Sequence, residues 1–318
     1  MKAFSRRGFL AGLTGASIVS FSRSPAIFGL AEPAPLRKFY SVLSCGALGV
    51  KASFEQTLEL ASRFGFEGID PDAAFFAQAG EARLKQLLAT MQQKKLRFGS
   101  ANLPVEFRKD NEVFSAGLKK LPDAASWLEK AGVKRVTTWI LSFSNEYTYT
   151  ENFRWHTLRL RECARILADF GLVFGLEYVG PKTAWRSSRH PFIHTLAEIR
   201  ELVEAIGLKN VGVQLDSWHW FNAEETQADL LKLKNEEVVS VHLNDAPAGV
   251  PLDKQVDSKR ELPLATGVIP IREFIQGLRN IGYDGPVAIE PFSTALRAMT
   301  GEKACETAAE AMKKVLEL

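Results

Sequence analysis

The chain has 318 residues, with 40 Lys and Arg against 37 Asp and Glu, for a formal net charge of +3. That excess sits at the start: residues 1–31 carry Lys2, Arg6, Arg7 and Arg23 and no acid. Without them the net charge falls from +3 to −1, and the remaining 287 residues lack the basic surplus of a nucleic-acid binder. Cys45, Cys163 and Cys305 are few, odd in number and far apart, so they suggest neither a disulfide framework nor a thiolate metal site.

In chain order, Ser5-Arg6-Arg7-Gly8-Phe9-Leu10 followed by a modestly apolar stretch to Phe21 reads as an export signal for the twin-arginine machinery. The stretch is too short to span a membrane and is broken by Gly12, Gly15 and Arg23; retention as an anchor is the alternative. Gly29-Leu30-Ala31 is a small-x-small cleavage site, so residues 1–31 are expected to be removed and residues 32–318 to work in the periplasm or an equivalent extracytoplasmic space.

Beyond the signal, eight strands are expected: 39–45, 67–71, 97–102, 135–141, 173–179, 211–216, 238–243 and 286–291. Helical patterns lie between them. Ser53-Phe54-Glu55-Gln56 is a capping box, and Ile271, Phe274, Ile275 and Leu278 form an apolar stripe. Gly65, Gly132, Gly171, Gly207 and Gly282 each stand between the end of a helix and an apolar residue, the signature of a left-handed helix terminus. Eight strands alternating with helices on one uniform chain predict an α/β fold, a single-domain (β/α)₈ TIM barrel over 32–318. An open doubly wound sheet is the alternative, but no G-x-G-x-x-G follows the first strand. The stretch 246–263 is long for a loop and is expected to be a functional lid or a disordered insert.

Four apolar runs end in, or just past, a residue a divalent metal would bind: Leu176-Glu177, Gln214-Leu215-Asp216, Val241-His242 and Ala288-Ile289-Glu290. These are the last four predicted strands, neighbours in a barrel, and barrel active sites lie at the C-terminal ends of strands. Three carboxylates and one imidazole suit a borderline or hard ion, Mn²⁺ first, with Mg²⁺, Co²⁺ or Zn²⁺ as alternatives.

Gly65-Phe66-Glu67-Gly68-Ile69, Gly175-Leu176-Glu177, Leu215-Asp216-Ser217-Trp218-His219, Val241-His242-Leu243-Asn244-Asp245 and Ala288-Ile289-Glu290 give the chain a resemblance to the xylose isomerase-like TIM-barrel superfamily of sugar isomerases and epimerases. The resemblance covers essentially all of 32–318. It implies that Glu177, Asp216, His242 and Glu290 hold one divalent ion, that Glu177 and Glu290 flank the substrate as acid and base, and that His219 hydrogen-bonds a substrate oxygen. It also points to Arg260 as a substrate contact, although the loop carrying it is longer here. Chemically, a carboxylate that ligates through one oxygen keeps the other free for proton transfer.

Other residues are open to two readings. Lys182 could hold a hydroxyl or carboxylate, or be a solvated lysine. Trp185, Trp218, Trp220 and Phe221 could wall a sugar ring or simply pack. Asp70 and Asp72 could order the site or cap the next helix. His190-Pro191 reads as a helix boundary.

The function expected is proton transfer through an enediolate on an unphosphorylated sugar or polyol ketone, giving an isomerase or epimerase. The alternative is a lyase on the same scaffold, acting on an inosose or a 3-keto-glycoside by β-elimination. A DNA-repair endonuclease on this barrel would need more histidines than the five present. A non-catalytic sugar-binding protein would not need two proton-transfer carboxylates. The substrate is a small carbohydrate in either enzyme reading, no nucleic-acid partner is expected, and the sequence leaves the oligomeric state open.

Overall fold

In the computed structural model, residues 36–318 are described; the export-signal expectation and its cleavage site lie outside the described residues. The strands of the main sheet are β1 (Tyr40–Leu43), β2 (Gly68–Ile69), β3 (Arg97–Phe98), β4 (Ser100–Asn102), β5 (Arg135–Trp139), β6 (Val173–Glu177), β7 (Val211–Asp216), β8 (Val238–Leu243) and β9 (Pro286–Ile289). Every pairing between them is parallel, in the order β3-β2-β1-β9-β8-β7-β6-β5-β4. The two outer members, β3 and β4, are successive pieces of one stretch interrupted at Gly99, so the sheet curls into a barrel of eight staves.

The break at Gly99 has a steric cause. A Cβ there would lie 2.7 Å from the Asp70 carboxylate and 2.9 Å from Val42, so glycine lets the chain pass close to the end of β2. It also explains why a single predicted strand over 97–102 is seen as two.

Helices α1 (Phe54–Phe64), α2 (Ala73–Gln93), α3 (Asn111–Lys130), α4 (Tyr149–Asp169), α5 (Leu196–Ile206), α6 (Ser217–Asn222), α7 (Ile271–Asn280) and α8 (Gly301–Leu316) follow the staves in turn. The capping box at Ser53 and Gln56 is formed, and all five junction glycines adopt positive φ. The main apolar core lies between strands and helices, while Tyr40, Val42 and Ala288 form a small separate cluster. Ser100 donates to Ser240 at 3.2 Å although β4 and β8 are not sheet neighbours, so this bond crosses the barrel lumen.

The stretch 246–263 is built rather than loose. At its base, Asp245 and Glu261 exchange backbone hydrogen bonds of 2.8 Å each way. The buried Asp245 carboxylate accepts from the backbone N–H groups of Ala246 (2.8 Å), Thr266 (3.0 Å), Gly267 (2.8 Å) and Ile269 (2.9 Å). His190–Pro191 forms a short antiparallel pair with Phe143–Ser144 instead of marking only a helix start.

Candidate active site

The four predicted ligands come together. β6, β7, β8 and β9 are successive neighbours in the sheet, with His242 opposite Asp216 and Ala288 in register, so Glu177 and Asp216 end two staves, His242 stands one residue before the end of the third and Glu290 follows the fourth. One donor atom from each of the four lies within 4.8 Å of the others. Nδ1 of His242 stands 3.5 Å from Oε2 of Glu290 and 3.8 Å from Oε1 of Glu177.

Charge at the cluster is balanced by an arginine. The side chain of Arg260 is 2 % exposed, and its Nη1 donates to Oδ2 of Asp216 at 2.8 Å and to Oε2 of Glu290 at 2.9 Å. Nη2 donates to Asp257 at 2.8 Å. The closure of the 246–263 stretch between Asp245 and Glu261 sets Arg260, one residue before the clamp, against the ligands. Asp216 is held further by the backbone N–H of Trp218 (2.7 Å) and by Nδ2 of Asn244 (2.9 and 3.1 Å).

These contacts move the titrations in opposite directions. Burial, reinforced by the charges of Glu290 and Asp216, lifts Glu177 to about 8. Burial alone would lower His242, but the surrounding Glu290, Glu177 and Asp216 override it and hold the imidazole at about 10. Burial opposes the charge of Glu290, yet His242 and Arg260 draw it down to about 2. Arg260, despite burial, is pushed further up by Asp216, Asp257 and Glu290. Such opposed shifts within one cleft are a mark of functional carboxylates.

A cavity of about 1200 Å³ opens on this cluster through His242 and Glu290 and extends over the loops after β1, β2 and β4. Asp70 lines it, with its carboxyl raised to about 6 by burial. Asp72 lines it too and caps α2, accepting from the Phe75 N–H at 3.0 Å. None of the four residues proposed as substrate contacts lines this cavity: Arg260 is engaged by Asp216, Glu290 and Asp257, and the other three lie elsewhere. Trp218 is fully enclosed behind Arg260, 5.6 Å from the guanidinium carbon. Lys182 is ion-paired to Glu224 at 2.6 Å. His219 is buried, with its Nδ1 accepting from the Gly180 N–H at 3.2 Å and its Nε2 3.4 Å from Arg260. Gly180 permits this approach, because a Cβ there would lie 2.4 Å from the His219 carbonyl oxygen. Trp220 is core, and Trp185 stacks on His194 at 4.5 Å.

Sequence reasoning passed over Gln214, Asn244 and Asp257. Nε2 of Gln214 stands 3.5 Å from Nδ1 of His242. Strand alternation was the available signal for two of them: Gln214 is two residues from Asp216 and Asn244 two from His242, so each shares its partner's face. Asp257 carries no such signal.

The model of the family described as xylose isomerase-like TIM barrel matches residues 58–315, and the chain belongs to that family. A solved xylose isomerase domain protein from Alicyclobacillus acidocaldarius subsp. acidocaldarius is 31% identical, with a TM-score of 0.77 over 88% of this chain and 98% of that one. A structure of the IOLI protein with a bound zinc atom gives a TM-score of 0.73 at 20% identity over 88% of this chain and 98% of that one, a likeness of fold. Among curated proteins, an inosose isomerase of Halalkalibacterium halodurans is 27% identical over 159 residues, 49% of this chain and 52% of the relative. The chain spans about half the length of the curated relatives it matches.

Proposed function

We propose that this protein is a divalent-metal-dependent sugar isomerase or epimerase that moves a proton, through an enediolate, on an unphosphorylated sugar or polyol ketone. The observation that carries the proposal is the convergence of Glu177, Asp216, His242 and Glu290 on one point beside an open cavity. Similarity to an inosose isomerase supports the same class of reaction.

The donor set fits an ion. Its four atoms are already gathered, and Oε1 of Glu177 is buried with no hydrogen-bond partner, a costly state that a cation would relieve. We assign Mn²⁺ as first choice, with Mg²⁺, Co²⁺ and Zn²⁺ as alternatives; the zinc seen in a protein of the same fold supports a divalent ion in general. When bound, the ion would polarise the substrate carbonyl and acidify the neighbouring C–H. The chain supplies the proton transfer. Glu290 lines the cavity and Glu177, at the end of β6, is more deeply buried; we assign these two carboxylates as the acid and base that flank the substrate. Arg260 keeps Glu290 ionised and oriented. Among the described residues, Lys51 is the only Lys or Arg lining the cavity, which supports an unphosphorylated substrate.

A second reading, a lyase expelling a group β to the carbonyl after the same proton removal, is favoured by the cavity volume of about 1200 Å³, more than a lone sugar ring fills. One experiment separates them: metal-loaded protein in D₂O with ketoses, inososes and 3-keto-glycosides, products and deuterium position read by NMR. An isomeric ketose supports the first reading and an enone with released alcohol the second; no exchange with any substrate refutes both. We further propose, from Arg6-Arg7 and Gly29-Leu30-Ala31, that the protein is exported and works outside the cytoplasm. An N-terminus still at Met1 on cytoplasmic protein would overturn this.

A further inference from the structure

The cavity has two unlike walls. Around His242 and Glu290 it is lined by Asp70, Ser100, Asn102 and Thr137, groups that can hold the hydroxyls of a sugar ring. The loops after β1 and β2 add an apolar patch of Val50, Ala52, Phe54 and Phe75, bordered by Lys51, Ser53 and Asp72. At about 1200 Å³ the space exceeds the roughly 300–1,000 Å³ of pockets that enclose drug-sized ligands.

Phe54 and Phe75 form a fixed platform in that patch. Their rings stack at 4.9 Å with 15° between planes, and Phe76, fully buried, braces both, edge-on at 5.4 Å from Phe54 and at 6.2 Å from Phe75. Both residues lie in the first turn of a helix whose N-cap is made: Ser53 accepts from the Gln56 N–H at 3.2 Å, and Asp72 from that of Phe75 itself. Neither ring is fully covered. Stacked aromatics that are only partly buried on a cavity wall leave some apolar area in water that a flat apolar ligand group would bury favourably.

We propose that the substrate carries an apolar, ring-shaped substituent on a sugar that keeps a ketone, and that Phe54 and Phe75 receive that substituent. The inference rests on the reading of the metal cluster as the reacting end of a sugar-converting site. It places the sugar against Asp70 and Asn102 and the substituent across the Phe54–Phe75 face.

Binding of two non-reacting probes, phenyl β-D-glucopyranoside and methyl β-D-glucopyranoside, measured by titration calorimetry on the full metal-loaded chain, tests it. The wild type is expected to prefer the phenyl probe by about tenfold, the worth of one good aromatic contact. Phe75→Ala should bring that ratio close to one, and Phe75→Leu, which keeps most of the volume, to an intermediate value. Melting curves establish that each variant is folded, and the Phe75→Leu protein decides should the alanine variant not fold. Equal binding of both probes by the wild type, or an unchanged ratio in the variant that folds, overturns the inference. Deuterium exchange on simple ketoses is followed in parallel. Its absence in the wild type would refute the isomerase reading while leaving the phenyl preference as the measure of this one.

Discussion

Metal binding to this protein should release about two protons at neutral pH, and the structure says which two. With no ion, Glu177 is held at about 8 and His242 at about 10, so at pH 7 both carry a proton, while Glu290, at about 2, does not. A ligating carboxylate and a ligating imidazole must both be unprotonated. Raised pKa values mean that protons compete with the ion, so affinity falls as pH falls. Below pH 8 two protons leave per ion bound, and the association constant should change about 100-fold per pH unit, about 2.7 kcal/mol. Between pH 8 and 10 only His242 still competes, and the dependence should ease to about tenfold per unit. Calorimetric titration of Mn²⁺ or Zn²⁺ at pH 7 in two buffers of different ionisation enthalpy counts the protons directly. Heats that do not depend on the buffer, together with an affinity flat from pH 6 to 8, would refute the assignment of these two residues as ligands.

Glu290→Gln should fold and keep part of its metal affinity but lose proton exchange, since an amide oxygen can ligate and cannot take a proton; unchanged deuterium incorporation would leave Glu177 as the only base. Arg260→Met strands the Asp216 and Glu290 charges, so without metal it should lose roughly 3–5 kcal/mol of stability, partly restored by added ion. Urea unfolding with chelator and with Mn²⁺ measures both numbers, and identical curves for variant and wild type would remove Arg260 from the charge balance. Asp245→Ala leaves four backbone N–H groups short of an acceptor and should cost roughly 3–5 kcal/mol. Hydrogen exchange should then rise across 246–269; protection equal to wild type would show that other contacts hold the stretch.

The barrel was legible because its signals are local and repeated. Glycine at five helix ends and apolar runs at regular intervals each have a near-neighbour cause, and β7 and β8 begin and end at the expected residues. The four-residue cluster was legible because adjacent staves convert order along the chain into proximity in space. What the sequence hid depends on contacts between distant segments. Trp218 occupies the mouth of β7 but faces the core, and nothing in its neighbours shows which side of the short helix α6 the protein buries. Lys182 finds Glu224, 42 residues further on, and Arg260 reaches Asp216, 44 residues before it, and Glu290, 30 residues after it. The position of the cavity, over the loops after β1 and β2 and away from His219, follows from packing around Gly99 and Asp70 that no linear pattern encodes.

The Asp245–Glu261 clamp works as the springing of an arch. With both feet fixed, the span above can lengthen or shorten without moving Arg260, which stands at the foot. Gly249 and Val250 near the crown are exposed, so the arch offers a place where a tag, a reporter or a recognition peptide could be spliced in while the charges below it keep their positions. Variation in that span among natural chains would then track what approaches the mouth of the barrel from outside, leaving the chemistry at its floor untouched.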